Sequence, residues 1–392
     1  MLSLKYVFIS CIASIPMLVK CALQIQTSTE KDFVTNKYLV ILRPQVGLAN
    51  HMNVLHRQMG DGRATYGILL HNFTIGNFNA YSGHFDSGFI EQLVTHGDIA
   101  RIEADQIVGT NSVTQTDAPR GLNVISHRRF SSDYDYVYDN AAGRGTYAYV
   151  LDSGINTQHK EFEGRATSGY VAEGLQPGDV SGHGSHVAGI IGSKTYGVAK
   201  KTRLISVKVL DHTLGSSSTL LEGFEWAYRD IKDKRLQAKA VINISVAGGI
   251  PKSINEAIDE AFANGISTVV AAGNYAEDVE IEWSTTGAII VAATDLYNNR
   301  ARFSSYGSAV TLFAPGVKIQ SCWRGGPDAV RTESGTSQAA GFVTGVVALL
   351  KSRLKLPGAM VTRGVVQGLA TRGIVKDLRG SPNLFLYNGG GR

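Results

Sequence analysis

The stretch Tyr147-Ala-Tyr-Val-Leu-Asp-Ser-Gly154 joins a strand-forming run, apolar on both faces, to a carboxylate at its end. Strands without polar alternation are typical of parallel sheets covered by helices on both sides. Further strands are predicted at Leu204–Leu210, Ala240–Val246, Ser267–Ala272 and Ala288–Ala293. Helices are predicted at His183–Ile191, Ser218–Lys234, Lys252–Ala263 and Ser337–Lys351. This alternation indicates an α/β fold whose parallel sheet carries helices on both faces.

A separate unit is predicted ahead of this sheet, over residues 23–112. The predicted strands are Lys37–Leu42, Gly67–Leu70, Ala80–Phe85 and Ile99–Ala104. One predicted helix, Ala49–Gly60, follows the first strand, and another, Ser87–Thr95, precedes the last. The order βαββαβ is that of the ferredoxin-like α+β arrangement. The polar stretch from Gly109 that follows is suited to a protease-accessible linker.

The first 22 residues have the features of a secretory leader. An early lysine, Lys5, precedes an apolar run from Tyr6 to Val19, and small residues follow. The run is shorter than the roughly 20 residues that a membrane span needs. We therefore expect residues 1–22 to be a signal peptide and the product to be secreted and extracellular, with a retained anchor as the alternative.

Composition excludes several classes of protein. The chain has 392 residues, enough for more than one folding unit, and its 43% hydrophobic and 18% charged residues exclude a mainly disordered chain. A net charge of +5 without basic runs gives no support to nucleic-acid binding. Once the leader with Cys11 and Cys21 is removed, Cys322 remains alone, which excludes an internal disulfide or a four-cysteine metal site.

Four polar side chains occur where such a sheet gathers functional groups. Asp152 and Asn274 follow strands, while His183 and Ser337 begin glycine-flanked helices. Ligands of open parallel sheets bind at the carboxyl ends of the strands. A serine hydroxyl becomes a nucleophile when a histidine takes its proton and a carboxylate orients that histidine. An amide such as that of Asn274 can then stabilise the oxyanion.

Each of these residues also has an ordinary explanation. Asp152 could be a turn residue, Ser337 a helix cap, Asn274 a loop cap and His183 a buried histidine. Their joint occurrence favours a nucleophilic site. A metal hydrolase is disfavoured because His183-x-x-His186 lacks the i, i+4 histidine pair and the glutamate of the usual zinc pattern.

The motifs around the three residues resemble those of a known enzyme family. Asp152-Ser-Gly, His183-Gly-Ser-His-Val-Ala-Gly and Gly335-Thr-Ser-Gln-Ala resemble, in that order, the three signatures of the subtilisin-like serine proteases. Fungal relatives of proteinase K have segments similar to Phe162–Ala166, Tyr196–Thr202 and Val207–Asp211. The similarity extends over most of residues 115–392, and the N-terminal unit resembles the family's inhibitory propeptide.

The resemblance implies an endopeptidase of broad specificity that is made as a zymogen. Residues 23–112 would be a propeptide that inhibits the enzyme and is cut off by it near Gly109–Thr114, and residues 113–392 the peptidase domain. Protein and peptide substrates would bind as an extended strand. The binding residues implied are Leu214, Gly215, Ser216, Ser245, Val246, Ala247, Gly248, Ala271, Ala272 and Gly273.

The chain departs from the family's pattern in several places. Gln338 follows the nucleophile where relatives usually have Met, and Gly341-Phe342 replaces Pro-His. These changes allow the alternative of a catalytically impaired binding protein on a subtilase fold. Thr311 occupies the place of an aspartate that relatives use to bind calcium. Because that carboxylate is missing, we expect no metal and no cofactor, with a calcium ion as the alternative.

Remaining expectations concern modification and partners. Asn72 and Asn243 match the N-glycosylation pattern, although Asn243 falls in a predicted core strand where a glycan would not fit. We expect a monomer whose partners are its substrates and its own propeptide, with neither nucleic acid nor a membrane among them.

Overall fold

The computed structural model describes residues 33–59, 67–85, 87–106, 112–129, 131–212, 214–246, 248, 250–281, 283–354 and 356–390. The chain divides into two compact units, Met1–Gly109 and Thr110–Arg392. The predicted leader lies outside the described residues. Among the helices that are described, none combines the length and apolar character that crossing a bilayer requires.

The N-terminal unit is an antiparallel sheet with two helices. Its elements are β1 (Phe33–Leu42), α1 (Leu48–Met59), β2 (Gly67–Ile75), β3 (Phe78–Phe85), α2 (Ser87–Val94) and β4 (Ile99–Gln106). The strands lie in the order β2-β3-β1-β4. Apolar side chains from both layers form its core, among them Val40, Leu55, Tyr81, Phe89 and Leu93. The predicted ferredoxin-like order is confirmed.

The C-terminal unit is built on a nine-stranded sheet in the order β16-β17-β13-β12-β11-β10-β7-β9-β8. Its strands are β7 (Tyr147–Asp152), β8 (Ala166–Val171), β9 (Arg203–Lys208), β10 (Ala240–Ile244), β11 (Ser267–Ala271), β12 (Ala288–Thr294), β13 (Leu312–Pro315), β16 (Thr371–Arg372) and β17 (Leu384–Phe385). All neighbours pair in parallel except β16 with β17. The predicted parallel α/β fold is therefore confirmed.

Helices and two small antiparallel ribbons complete this unit. The helices are α3 (Arg120–Ser126), α4 (His183–Gly192), α5 (Ser217–Asp233), α6 (Lys252–Ala263), α7 (Thr336–Arg353) and α8 (Ala359–Leu369). The ribbons pair β5 (Ser112–Gln115) with β6 (Tyr136–Asp139), and β14 (Ile319–Cys322) with β15 (Val330–Glu333). The linker prediction is thus wrong for residues 112–115, because pairing with β6 orders a polar segment that has no apolar pattern of its own.

Helix α7 is buried along nearly its whole length. Residues of other helices pack directly against its unusual residues Gly341 and Phe342. The side chain of Ile190 packs against Gly341, where a Cβ atom would lie 3.2 Å from Ile190 Cγ2. The ring of Phe342 is buried against Gly121 of α3, where a Cβ atom would lie only 2.5 Å from Phe342 Cζ. Both positions are therefore closely packed against neighbouring helices.

We expect Gly121→Ala to destabilise the unit by about 1–3 kcal/mol, because the new methyl group would overlap the Phe342 ring. Gly364→Ala is the matched control, since it lies in α8 with nothing within 4 Å of the added atom. That change should stabilise the unit by up to about 1 kcal/mol. Thermal unfolding of both variants in a Ser337→Ala background measures the difference. Equal melting temperatures would contradict the packing described here.

Candidate active site

Three neighbouring strands bring polar groups to one edge of the sheet. β11, β10 and β7 lie side by side, and Asn274, Ser245 and Asp152 stand at or just beyond their carboxyl ends. Helix α4 begins at His183, and Ser337 is the second residue of α7. The fold thereby collects, at the edge where such sheets bind ligands, residues that lie far apart in the chain.

Asp152 and His183 form a direct contact. His183 Nδ1 lies 2.8 Å from Asp152 Oδ1 and 3.0 Å from Oδ2. The carboxylate is fully buried, whereas a quarter of the His183 side chain is exposed. The backbone N–H of Ser153 also donates to Asp152 Oδ1, at 2.7 Å. An ionised Asp152 therefore keeps the proton of a neutral His183 on Nδ1, which leaves Nε2 as a proton acceptor.

Opposing effects act on the pKa of His183. Burial disfavours the imidazolium and lowers the pKa, but the charge and hydrogen bond of Asp152 raise it, and Asp179 and Glu333 raise it further. The net result is a pKa above the ordinary value of 6.5. Because a general base must be unprotonated, its active fraction falls as the pH falls through this raised value.

We expect Glu333→Gln to move the acid limb of the kcat/KM profile to lower pH, because it removes one of the charges that raise the pKa of His183. The side chain of Glu333 is partly exposed, so the shift should shrink at high ionic strength. Rates measured across the acid limb at two salt concentrations test this. The control is Glu225→Gln on α5, which also removes a carboxylate paired with an arginine. An identical acid limb for both variants would contradict the expectation.

Two glycines allow the backbone of α4 to approach the carboxylate of Asp152. Gly182, just before His183, has φ of 99°, and a Cβ atom there would overlap the Trp323 ring. A Cβ atom on Gly184 would overlap the carbonyl oxygen of Gly154. Only glycine at both positions lets the histidine reach Asp152 from the start of the helix.

Asp179 organises the loop before α4. Its Oδ1 accepts from Ser153 Oγ at 2.9 Å and from the N–H groups of Ser181 and Gly182 at 3.1 and 2.8 Å. Its Oδ2 accepts from the N–H and hydroxyl of Ser185 at 2.9 and 2.6 Å. The sequence analysis did not identify this carboxylate, although its position in a Gly-Asp-x-Ser-Gly turn was a usable signal.

Ser337 and His183 line the same cavity of about 340 Å³. The Ser337 side chain is buried apart from a small exposed fraction, and its hydroxyl donates to the Ser245 carbonyl at 3.2 Å. In this structure the hydroxyl is thus turned to the strand end. Hydrogen bonds of catalytic groups are often long or misaligned until substrate is bound.

The amide of Asn274 is oriented by its neighbour Thr336. Asn274 Oδ1 accepts from the Thr336 N–H at 2.9 Å and from its hydroxyl at 3.0 Å. The same hydroxyl accepts from the Gly273 N–H at 3.1 Å. Because the oxygen end of the amide is held in this way, Nδ2 is at the opposite end, and Asn274 lines the cavity together with Ser337.

Most of the substrate-binding residues suggested by the resemblance line this cavity. They are Leu214, Gly215, Ser216, Ser245, Val246 and Gly248. Ala247 lies outside the described residues. Ala271, Ala272 and Gly273 are buried and do not line the cavity. Additional lining residues are Leu210, Ser217, Leu220, Ile250, Pro251 and Tyr275. Ser217 and Tyr275 directly follow the predicted residues Ser216 and Asn274, which was the available signal.

The two glycosylation candidates differ in exposure. Asn72 lies on β2 and is exposed. Asn243 is completely buried in β10, where its Nδ2 donates to Ser245 Oγ and its Oδ1 accepts from the Thr344 hydroxyl, both at 2.8 Å. Asn243 as a glycan acceptor is therefore wrong, because its amide is consumed inside the core.

His186 and Cys322 have structural surroundings. His186 Nε2 lies 3.1 Å from the carbonyl oxygens of Ile319 and Arg331, and Gln338 Nε2 lies 3.4 Å from its Nδ1. Burial, reinforced by the charge of His183, lowers the pKa of His186 to about 4. Burial raises the pKa of Cys322 to about 12. A neutral histidine and an un-ionised thiol are the result.

The surroundings of Thr311 bear on the expected loss of a calcium site. It is buried, and its hydroxyl accepts the N–H of Ile290 at 3.0 Å. Calcium sites are built from several oxygens, among which carboxylates supply the compensating charge. A buried hydroxyl without charge that already accepts a backbone N–H does not fit the ion at this position.

Comparison with protein families matches the Subtilase family over residues 143–377 and the Peptidase inhibitor I9 family over residues 38–111. The chain is 42% identical, over 378 residues, to alkaline protease 1 of Aspergillus oryzae, and the match covers 93% of this chain and 94% of that protein. It is 40% identical, over 380 residues, to subtilisin-like protease 2 of Trichophyton equinum, with 91% and 90% covered.

A solved structure leads to the same family. The crystal structure of a cold adapted subtilisin-like serine proteinase superposes with a TM-score of 0.64 at 35% identity, covering 70% of this chain and 99% of that one. None of these comparisons supports the alternative of a non-catalytic binding protein. The chain belongs to the subtilase family and is a subtilisin-like serine protease with an N-terminal I9 inhibitor domain.

Proposed function

We propose that this protease is a secreted endopeptidase of broad specificity, made as a zymogen, in which Asp152, His183 and Ser337 act as a catalytic triad. The observation that carries the proposal is the contact between buried Asp152 and His183 at the wall of the cavity that also holds Ser337 and Asn274. A base, its orienting carboxylate, a hydroxyl and an amide are the groups that acyl transfer needs.

The first step requires a rotation of the serine. When substrate enters, the Ser337 hydroxyl turns from the Ser245 carbonyl toward His183 Nε2, which takes its proton as Oγ attacks the peptide carbonyl carbon. Asp152 holds the proton on Nδ1 and stabilises the imidazolium that forms. The small exposed fraction of Ser337 keeps the attacking oxygen in a largely water-excluded place.

Negative charge then develops on the former carbonyl oxygen. Asn274 Nδ2 and the backbone N–H of Ser337, in the unsatisfied first turn of α7, are the donors that would stabilise it. The Asn274 amide is held in its orientation by the two hydrogen bonds that Thr336 donates to its Oδ1. Loss of such an amide costs roughly 10²–10³ in turnover in a related protease, a value that we borrow for Asn274.

The second half of the reaction reverses these roles. The His183 imidazolium gives its proton to the leaving amine, and the peptide carbon remains bonded to Ser337 Oγ as an ester. A water molecule then loses a proton to His183 and attacks this ester. As the bond to Ser337 Oγ breaks and the acid leaves, the His183 imidazolium returns that proton to Oγ and restores the hydroxyl.

Substrate would add an extended strand to the two exposed backbone segments at the cavity. These are Leu214–Ser216 on one side and Ser245, Val246 and Gly248 on the other, all of which line it. Main-chain pairing of this kind gives affinity without requiring a particular sequence. The apolar side chains of Leu220, Ile250 and Pro251 add a preference for apolar residues near the scissile bond.

Maturation would remove the N-terminal unit by self-cleavage before β5. Because Ser112–Gln115 pairs with β6, the cut belongs on the N-terminal side of Ser112, a narrower range than the motifs indicated. The released unit would act as inhibitor until it is degraded. We further propose that the mature enzyme is a monomer without a cofactor. Because Asn72 belongs to the N-terminal unit, any N-glycan on it would be removed together with that unit.

A serine-directed reagent tests the proposed function. A sulfonyl fluoride should abolish peptidase activity and add one equivalent of label on the peptide that contains Ser337, while a chelator should leave the reaction chemistry intact. The His183→Ala variant should not be labelled. Activity that resists the reagent but is lost with chelator would overturn the proposal in favour of a metal hydrolase.

A further inference from the structure

A second cluster of side chains that can bind ligands lies in the N-terminal unit and shares no residue with the triad. His51 belongs to α1, while His96 and Asp98 belong to the turn between α2 and β4. One ligand atom from each of the three lies within 4.8 Å of the other two. His51 is almost completely buried, and the other two are half-buried. Two imidazoles and one carboxylate thus meet at the surface of a folded unit.

Both ring nitrogens of His51 have a partner, including the one that faces away from Asp98. His51 Nδ1 lies 3.0 Å from Asp98 Oδ2, and its Nε2 lies 3.4 Å from the Tyr81 hydroxyl. Metal-bound imidazoles typically use their remaining N–H in such a contact, which fixes the ring and its tautomer.

The second histidine, His96, contacts the same aspartate through its Nδ1. His96 Nδ1 accepts the backbone N–H of Asp98 at a long 3.3 Å and lies 3.8 Å from Asp98 Oδ2. Among the described residues, the two imidazoles are the only basic groups that pair with this carboxylate. The three side chains thus bring two imidazole nitrogens and one carboxylate oxygen within reach of one another.

We propose that His51, His96 and Asp98 bind a divalent transition-metal ion of the Zn²⁺ type. Two nitrogens and one carboxylate oxygen are a common ligand set for Zn²⁺. The fourth position would be taken by water, because His96 also lines a surface pocket with Gln92, Leu93 and Thr95. An ion held there would join α1 to the α2–β4 turn and stabilise the I9 domain in proportion to its occupancy.

The test uses the full chain with Ser337→Ala, confirmed by intact mass to contain the N-terminal unit. Zn²⁺ is titrated calorimetrically into this protein and into versions that also carry His96→Ala, Asp98→Asn or His71→Ala. His71 is an exposed histidine of the same unit and serves as the matched control. His183 is present in all four proteins, so any ion that it binds contributes equally.

We expect one equivalent of Zn²⁺ to bind to the parent and to His71→Ala, with affinity lower by about 100-fold or more in His96→Ala and Asp98→Asn. Added Co²⁺ should give the strong visible absorption of a four-coordinate ion, and the same two changes should remove it. Equal Zn²⁺ binding by parent, His96→Ala and Asp98→Asn would overturn the proposal. So would the absence of this equivalent in the parent, which would leave the cluster as a hydrogen-bonded histidine pair.

Discussion

Replacing Ser337 or His183 with alanine is expected to lower kcat by about 10⁶-fold. The value is borrowed from a related subtilase, in which loss of either residue costs about as much as loss of the whole triad. Without Ser337 no oxygen can form the acyl-enzyme, and without His183 no group beside the hydroxyl can take its proton. The two losses should not add, because both residues act in one step.

The measurement compares peptide hydrolysis by matched amounts of enzyme from which the N-terminal unit has been removed. A metalloprotease can remove it and can afterwards be inhibited selectively. Ser308→Ala is the control. Ser308 is exposed, and among the described residues its hydroxyl donates a hydrogen bond to Glu280 alone. It should retain full activity. A Ser337→Ala or His183→Ala enzyme within 100-fold of wild type would show that another group performs the chemistry.

Asp152→Asn is expected to lower kcat by about 10⁴-fold without disturbing the fold, as the same change does in a serine protease of unrelated fold. The asparagine amide can donate to His183 Nδ1, which moves the remaining ring proton to Nε2. That tautomer cannot accept the proton of Ser337. The change also removes the charge that most strongly raises the pKa of His183.

Kinetics at pH values well above the acid limb isolate this tautomer effect, because there His183 is neutral in both enzymes. Asp328→Asn is the matched control, since Asp328 is an exposed carboxylate paired with Lys160. Its kcat should be unchanged. If Asp152→Asn lost less than tenfold, the contact of Asp152 with His183 would be structural and not catalytic.

The α/β fold and the triad candidates could be predicted because their signals are local. β7, β10 and β11 are apolar on both faces, and this pattern alone indicates buried parallel strands. Asp152 is the last residue of β7, and Asn274 follows shortly after β11. The glycines beside His183 mark the close backbone approach that the structure shows at Gly184.

Other features depend on contacts between distant parts of the chain. β5 is polar and becomes a strand only by pairing with β6, so periodicity could not identify it. Gly273 was expected in the wall of the binding pocket, but its N–H is bonded to Thr336 and it is buried. The metal-ligand cluster of the N-terminal unit joins residues separated by 47 positions, which no local pattern reveals.

The departures from the family pattern have consequences that only packing can decide. Gly341 and Phe342 suggested an impaired enzyme, yet Ile190 and Gly121 accommodate them closely. Gln338 points its amide to His186 and not to the nucleophile. The sequence could show that these residues were unusual, whereas the neighbours that compensate for them come from other helices.

The intact mass of the secreted product, wild type beside Ser337→Ala, tests the central claim most directly. The account predicts a wild-type chain that begins just before Ser112 and a variant that keeps residues 23–111 attached. Retention of the N-terminal unit by both proteins would contradict it by showing that the site does not cut its own chain. Loss of the unit from both would contradict self-processing by Ser337 equally, because another protease would then be responsible.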